Sequence, residues 1–190
     1  MASISIRRTK PTDFPYLQAI EKAACEAFTT LGMKAIAEDP PPSLEELHMY
    51  HDADHAWVAT STTENLEHAD IPIAYILVYV IDNVGLGAKS AFIHQVSVSP
   101  DFSRRGIGRA LIGHVEQWAR HNAILALDLT TFRDVPWNRP YYEKLGFKTV
   151  DEQALLRNEY VGLRRAILCE WDDKLLGRWP RVPMRKTVIN

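Results

Sequence analysis

One segment of the chain combines a strand-like run, a basic turn with two glycines and the start of an amphipathic helix: VSVSPDFSRRGIGRAL, residues 96–111. Amides in the first turn of a helix have no intrahelical acceptor, and the helix dipole favours negative charge there. Gly106 and Gly108 leave room for a phosphate against the main chain. Positive charge comes from Arg104, Arg105 and Arg109. The segment predicts a site for a phosphate-bearing ligand; the alternative is a turn with solvated arginines.

Two common phosphate-binding motifs do not fit this segment. A Walker loop ends in Gly-Lys followed by Ser or Thr, and no such end follows these glycines. A dinucleotide-binding fingerprint requires a third glycine three residues after Gly108, where the chain has Leu111. The segment therefore argues against a P-loop enzyme and against a nucleotide-binding oxidoreductase.

Apolar patterns on both sides of the turn predict a mixed α+β order. Strands are predicted at residues 3–8, 56–60, 71–81, 92–98, 124–131, 147–150 and 182–188. Helices are predicted at residues 13–28, from 44 onward, and at 106–120, 140–145 and 153–168, with loops at 61–70 and 82–90. We expect Thr12 or Asp13 to cap the first helix, and Ser43 with Glu46 to form a capping box. Asp128 interrupts an apolar strand, and we expect it at an exposed strand end; the alternative is binding of a substrate amine.

Composition excludes several classes of function. The chain has 190 residues, is 46% apolar and has a net charge of −2, so it predicts a globular domain without general affinity for nucleic acid or membrane surfaces. No run of about 20 apolar residues occurs, and the first ten residues are not typical of a signal peptide. The two cysteines, Cys25 and Cys169, are far apart and indicate free thiols. We therefore expect the protein in the cytoplasm, or in cytoplasm and nucleus in a eukaryote.

The turn and a second motif resemble the GNAT superfamily of N-acetyltransferases. The family signature is Gln or Arg, two variable residues, Gly, one variable residue, and Gly or Ala; residues 103–108 match it except at Ser103. A second feature, Tyr-x-x-x-Gly-Phe, is matched by Tyr142 to Phe147. The resemblance implies one domain over residues 1–190 with an acyl-CoA N-acyltransferase fold. In that fold, helices flank a mostly antiparallel seven-stranded sheet with splayed fourth and fifth strands.

The resemblance also implies acetyl-CoA as the cofactor and an amine as the acceptor. In this family the pantetheine arm pairs like an extra strand with the fourth strand, here the backbone of Val96, Ser97 and Val98. The diphosphate then lies over Arg104, Arg105, Gly106, Ile107, Gly108 and Arg109. The acetyl group is held where the fourth and fifth strands separate. The acceptor, a small-molecule or peptide amine, is not identified by the sequence.

His94 is the candidate general base. Acetyl transfer requires a neutral amine, whereas an alkylammonium has a pKa of about 10, so a base must remove a proton. His94 lies on the strand that leads to the turn, and an imidazole, with an ordinary pKa of about 6.5, suits this task. The alternative is a histidine whose ring only bonds a neighbour. The adjacent Gln95 is expected to face the other way and cannot titrate, but it can position water or substrate.

Tyr142 is the candidate general acid, because the family tyrosine at this position reaches the thioester sulfur; the alternative is a packing tyrosine. Asn138 lies one helical turn earlier and either contacts the pantetheine or caps the short helix that follows. No covalent intermediate is expected, since the chain has no Gly-x-Ser-x-Gly and no cysteine near the signature.

Other readings stay open. A metal-like group of side chains does not predict a metal site, because it lacks cysteine and lies in a polar segment: His48, His51, Asp52, Asp54 and His55. A GNAT-fold module that binds acyl-CoA without turning it over is the main alternative to an enzyme. A protein–protein module would leave the glycine–arginine turn unexplained. Both a monomer and a homodimer are compatible with the sequence.

Overall fold

A computed structural model describes residues 3–62, 70–83 and 88–188 of the chain. Its strands are β1 (Ser3–Arg8), β2 (Ala56–Thr62), β3 (Pro72–Asn83), β4 (Ala88–Val98), β5 (Ile124–Phe132), β6 (Lys148–Thr149) and β7 (Arg181–Thr187). Its helices are α1 (Phe14–Cys25), α2 (Lys34–Ala37), α3 (Leu44–Asp52), α4 (Ile107–His121), α5 (Arg139–Lys144), α6 (Glu152–Leu155) and α7 (Val161–Asp172). Of the turn predicted at 82–90, residues 84–87 lie outside the described residues, while residues 82–83 and 88–90 belong to β3 and β4. Residues 63–69 of the loop predicted at 61–70 also lie outside the described residues.

The described strands form one seven-stranded sheet in the order β1-β2-β3-β4-β5-β7-β6. The pairs β1–β2, β2–β3, β5–β7 and β6–β7 are antiparallel, while β4 and β5 are parallel. The ladder between β4 and β5 runs from Lys89 and Ile124 to Phe92 and Asp128. Beyond Phe92, β4 continues for six residues to Val98. The predicted α+β fold, with a mostly antiparallel sheet flanked by helices, is confirmed.

The chain forms two compact units; the first comprises the residues up to Val78 together with His94–Val115. Its core joins one face of α1 to α3 and to strands β2 and β3, through Phe14, Leu17, Ile20, Leu47, Ala56, Val58, Tyr75 and Leu77. The α1 members recur at intervals of three residues, as expected for one helical face. Burial of each large apolar side chain contributes about 1.5–3 kcal/mol, so this cluster fixes both helices on the sheet.

The second unit comprises Tyr79–Ile93 together with the residues from Glu116 onward. Its core packs α6 and α7 against β3 and β4, through Phe92, Val150, Leu155, Leu163 and Ile167. Gly162 of α7 lies against Ile81 of β3, where a Cβ atom at position 162 would be 2.2 Å from Ile81 Cγ2. Any side chain at position 162 would therefore require either the Ile81 side chain or the helix to shift.

Asp128 corrects one prediction from the sequence. It is fully buried rather than at an exposed strand end. Its two carboxylate oxygens accept hydrogen bonds from Arg185 Nε at 2.6 Å and Nη2 at 2.7 Å. Arg185 is the cross-strand neighbour of Asp128 on β7 and stacks over the Tyr160 ring at 4.1 Å. The carboxylate thus belongs to a buried ion pair and does not bind a substrate amine.

The helix predicted at residues 153–168 is also wrong as a single element. Asp151 caps the short α6 through the Ala154 amide at 2.7 Å, and the chain turns extended at Arg157, with ψ 148°, before α7 begins. The guanidinium of Arg164 donates to the carbonyls of Leu155 and Leu156, which would otherwise lack partners at the end of α6.

Two other local predictions have mixed outcomes. Ser43 Oγ accepts from the Glu46 amide at 3.1 Å, which confirms the cap of α3. Asp13 does not cap α1 with its side chain; the carboxylate instead accepts from the Lys10 amide at 2.7 Å and pairs with Arg7. The strand predicted at 147–150 is only two residues long.

Among residues 3–62, 70–83 and 88–188, no helix is long and apolar enough to cross a membrane.

Candidate active site

A tight turn connects β4 to α4. The Ser99 amide donates to the Ile73 carbonyl at 2.9 Å, and a single 3₁₀ turn follows at Pro100–Phe102. The chain then enters the left-handed region twice, at Arg104 with φ 60° and at Gly106 with φ 81°. Only glycine takes that conformation without strain, so Gly106 supports the reversal that starts α4.

The first turn of α4 presents main-chain donors. The Ala110 amide donates to the Gly106 carbonyl at 3.0 Å, which is the first bond of the helix. The amides of Ile107, Gly108 and Arg109 precede that bond, so helix geometry gives them no acceptor within α4. Ile107 is 3% exposed and anchors the turn, whereas Gly108 is partly exposed. The predicted succession of strand, turn and helix N-terminus is therefore present.

The three arginines of the turn differ in their surroundings. Arg105 donates to the Asp101 carbonyl at 3.0 Å and stacks over the Phe102 ring at 5.2 Å. All three arginines are exposed. Arg105 therefore braces the turn from its surface, while Arg104 and Arg109 flank the helix N-terminus on the exposed surface.

His94 lies near the end of β4, and its side chain is 41% exposed. Its Nε2 is 3.2 Å from Glu46 Oε1, and its ring stacks on Tyr50 at 5.6 Å with an interplanar angle of 22°. Both partners belong to α3. The ring thus contacts neighbours on α3, as one alternative held, while part of the side chain remains accessible to solvent.

A carboxylate from α1 gathers donors under the end of β4. Glu21 accepts from Tyr75 Oη at 2.6 Å and from Gln95 Nε2 at 2.7 Å. The Ser97 hydroxyl and the Cys25 thiol also donate to it. Tyr75 and Ser97 are buried, while Glu21 and Gln95 are half-buried. The cluster fixes the side chains of the β4 segment beyond the β5 ladder.

Burial and the Glu21 charge raise the pKa of the Tyr75 hydroxyl well above 10 and that of the Cys25 thiol to about 12. Since the thiolate is the reactive form, Cys25 should resist alkylation at pH 8. We expect iodoacetamide to modify the exposed Cys169 first and Cys25 only on unfolding, as measured by peptide mass spectrometry. Equal rates at both cysteines in the folded protein would contradict the arrangement around Glu21.

Tyr142 and Asn138 lie in the second unit, at α5. Tyr142 makes edge contacts with Tyr141 and Phe147 at 5.3 and 5.8 Å. Burial, followed by the Tyr141 phenol, raises the Tyr142 pKa above its usual value, so the hydroxyl keeps its proton at neutral pH. The Asn138 side chain makes no capping bond. The main-chain carbonyl of Asn138 accepts hydrogen bonds from the Tyr141 and Tyr142 amides at 2.9 and 3.2 Å.

Two acidic residues at this site are not predicted from the sequence. Glu21 follows Leu17 by four residues and so lies on the inward face of α1, where a carboxylate among apolar residues is a detectable signal. Glu46 was assigned only to a capping box, although it contacts His94. Within the described part of the chain, no group of three or more His, Cys, Asp or Glu side chains could hold a metal ion.

Solved structures show the same fold at low sequence identity. The ribosomal-protein-S18-alanine N-acetyltransferase from Escherichia coli is 18% identical with a TM-score of 0.65, over 99% of this chain and 96% of that one. The PaiA N-acetyltransferase from Thermoplasma acidophilum, solved with coenzyme A, is 18% identical with a TM-score of 0.66, over 97% and 99%. Ard1 from Thermoplasma volcanium is 15% identical with a TM-score of 0.66, over 98% and 99%.

A family model covers the segment in which these features lie. The model described as the acetyltransferase (GNAT) family matches residues 17–147, which include α1 from Leu17 onward, the whole of β4, the turn and α5. The chain therefore belongs to the acetyltransferase (GNAT) family.

Proposed function

We propose that this chain is a single-domain, acetyl-CoA-dependent N-acetyltransferase that acetylates a primary amine by direct attack in a ternary complex. The observation that carries the proposal is the N-terminus of α4, which offers main-chain donors beside Gly108 and two exposed arginines directly after β4. A diphosphate fits these groups because it needs closely spaced donors and positive charge. Acetyl-CoA, when bound, supplies the activated acetyl thioester.

In this proposal the described residues divide the work of binding. Arg104, Arg109 and the amides of residues 107–109 hold the diphosphate, while Arg105 and Gly106 maintain the shape of the turn. The main chain of Val96, Ser97 and Val98 lies beyond the β4–β5 ladder and pairs with the pantetheine. Asn138 also contacts the pantetheine in this proposal; its side chain makes no capping bond that would compete with this role.

His94 accepts the proton that the amine must lose. Glu46 lies 3.2 Å from Nε2 and Tyr50 stacks on the ring, so these two residues position the imidazole that receives the proton from the attacking nitrogen. As the C–N bond forms and the C–S bond breaks, Tyr142 gives its proton to the departing sulfur. The acceptor is a small-molecule or peptide amine, and its identity requires experiment.

Replacing His94 with alanine should lower turnover about a hundredfold at low pH and much less at high pH, where more of the amine is already neutral. Turnover should be followed as thiol release from acetyl-CoA between pH 6 and 9. His121→Ala, at the exposed end of α4, is the matched control. A variant with the wild-type pH profile would remove His94 from the mechanism.

Replacing Tyr142 with phenylalanine removes one hydroxyl and keeps the ring contacts with Tyr141 and Phe147. We expect turnover to fall about tenfold or more, while the acetyl-CoA-induced rise in melting temperature stays near the wild-type value. An equal loss of turnover and of the acetyl-CoA-induced rise in melting temperature would indicate a packing role for Tyr142.

Two measurements test the function as a whole. Acetyl-CoA should raise the melting temperature, because a ligand that binds only the folded chain stabilises it. Thiol release with a broad library of amines should then identify the acceptor class. Failure of millimolar acetyl-CoA to stabilise the chain would reject the proposal. Stabilisation without acetylation of any amine would favour a non-catalytic acyl-CoA-binding module instead.

A further inference from the structure

Gln95 is one of the donors in the Glu21 cluster, and its side-chain amide has a fixed orientation. Its side-chain nitrogen Nε2 donates to Glu21 Oε1 at 2.7 Å and to Ser97 Oγ at 3.0 Å. An ionised carboxylate can only accept hydrogen bonds, so the atom facing Glu21 must be the nitrogen and not the oxygen. The Ser97 hydroxyl donates its own proton to Glu21, so it also accepts from Gln95.

Both hydrogens of the Gln95 amide are therefore used inside the cluster. The remaining polar atom is the carbonyl oxygen Oε1, which accepts no hydrogen bond from residues 3–62, 70–83 or 88–188. Gln95 is half-buried, so its hydrogen-bond partners hold the side chain while part of it meets solvent. Glu21 and Ser97 thus fix the amide and leave its neutral acceptor oxygen unused within the cluster.

Strand alternation predicts opposite faces for His94 and Gln95, but in this structure both side chains contact helices of one apolar cluster. Gln95 follows His94 directly, and the two Cα atoms of such neighbours are about 3.8 Å apart. His94 contacts α3 and Gln95 contacts α1, and these two helices pack in one apolar cluster. A primary amine carries two or three N–H donors, so one N–H can bond Gln95 while another faces His94.

We infer that Gln95 Oε1 binds the N–H of the acceptor amine, and that Glu21 and Ser97 are positioning residues that orient it. This inference rests on the proposed acetyltransferase function and adds the residue that recognises the amine. An amide carbonyl is neutral at all working pH values, so it holds the nitrogen without favouring the ammonium form as strongly as a carboxylate would. His94 can then accept the proton that the amine loses.

The first experiment compares kinetic constants, with n-butylamine as the probe for a primary alkylamine. Gln95→Met keeps the side-chain length and removes the acceptor, so KM for n-butylamine should rise about tenfold while KM for acetyl-CoA changes less than about twofold. Glu21→Gln should also raise KM for n-butylamine more than KM for acetyl-CoA. An amide at position 21 can donate a hydrogen bond to Gln95 Oε1, which would then no longer be available to the amine. Gln18→Met is the matched control, since Gln18 bonds only the Pro42 carbonyl in the described part of the chain.

Three kinetic results would overturn the inference. The first is an unchanged KM for n-butylamine in Gln95→Met, and the second is an equal rise in KM for acetyl-CoA in that variant. The third is a Glu21→Gln variant in which both KM values stay at their wild-type values. Melting temperatures of all three variants should accompany the kinetics, because a structural role would lower stability without separating the two KM values.

The second experiment requires neither turnover nor the cofactor. In ¹⁵N-glutamine-labelled protein, the Gln95 side-chain amide signals are assigned by their loss in Gln95→Met. We expect millimolar n-butylamine to shift these signals and to leave those of Gln18 unchanged. No shift at Gln95 would overturn the inference even if acetyl-CoA stabilises the chain. Absence of that stabilisation would reject the proposed function, and the titration would still decide whether Gln95 binds an amine.

Discussion

Replacing Gly108 with glutamate should abolish the rise in melting temperature that acetyl-CoA produces. The new side chain would place a carboxylate at the second residue of α4, where the diphosphate is proposed to meet the main chain. Steric exclusion and like-charge repulsion together should weaken binding more than a hundredfold, or by about 3 kcal/mol. The chain without cofactor should instead become more stable by roughly 1 kcal/mol, since glycine disfavours helix and a negative charge favours a helix N-terminus.

Gly113→Glu provides the matched control on the same helix. A Cβ atom at Gly113 meets nothing within 4 Å, so this position also accepts a side chain. We expect Gly113→Glu to keep the acetyl-CoA-dependent shift, measured by thermal denaturation with increasing cofactor. A wild-type shift in Gly108→Glu would contradict the proposed diphosphate site.

Replacing Asp128 with alanine should have the largest effect on stability. The substitution would leave the Arg185 guanidinium without its carboxylate in a buried setting, where Asp128 itself is 0% exposed. Loss of one partner of a buried ion pair typically costs about 3–5 kcal/mol, because the other charge remains desolvated. Urea denaturation should therefore show a much lower midpoint.

Asp134→Ala is the comparison that isolates burial. Asp134 also forms two hydrogen bonds with one arginine, Arg133, at 2.9 and 3.1 Å, but both residues are exposed. Water replaces the lost partner at an exposed site, so this midpoint should hardly change. Similar midpoints for the two variants would show that Asp128 and Arg185 are not held together in a buried pair.

The turn could be predicted from sequence because its signals are local. Gly106, Gly108 and the arginines lie within six residues, and the strand before them and the helix after them have clear periodicity. The position of His94 on β4 followed from the same strand pattern. The structure confirms these elements, while the catalytic and binding roles of the residues stay predictions.

The partners of these residues could not be predicted, because they come from distant parts of the chain. Glu46 is 48 residues from His94, and Asp128 is 57 residues from Arg185. Only strand pairing brings Asp128 opposite Arg185, and no local pattern reveals which strands become neighbours. The break at Arg157 was hidden for another reason: Leu155, Leu163 and Ile167 keep helical spacing across it.

Gly162 has a consequence for how this protein can change. A methyl group there would collide with Ile81, so even alanine, the residue that helices most favour, is excluded unless the isoleucine becomes smaller. The side-chain volumes at positions 81 and 162 are thus coupled, and a larger side chain at one position requires a smaller side chain at the other. Libraries that randomise α7 alone would lose folded members at this site, whereas paired variation of residues 81 and 162 would recover them.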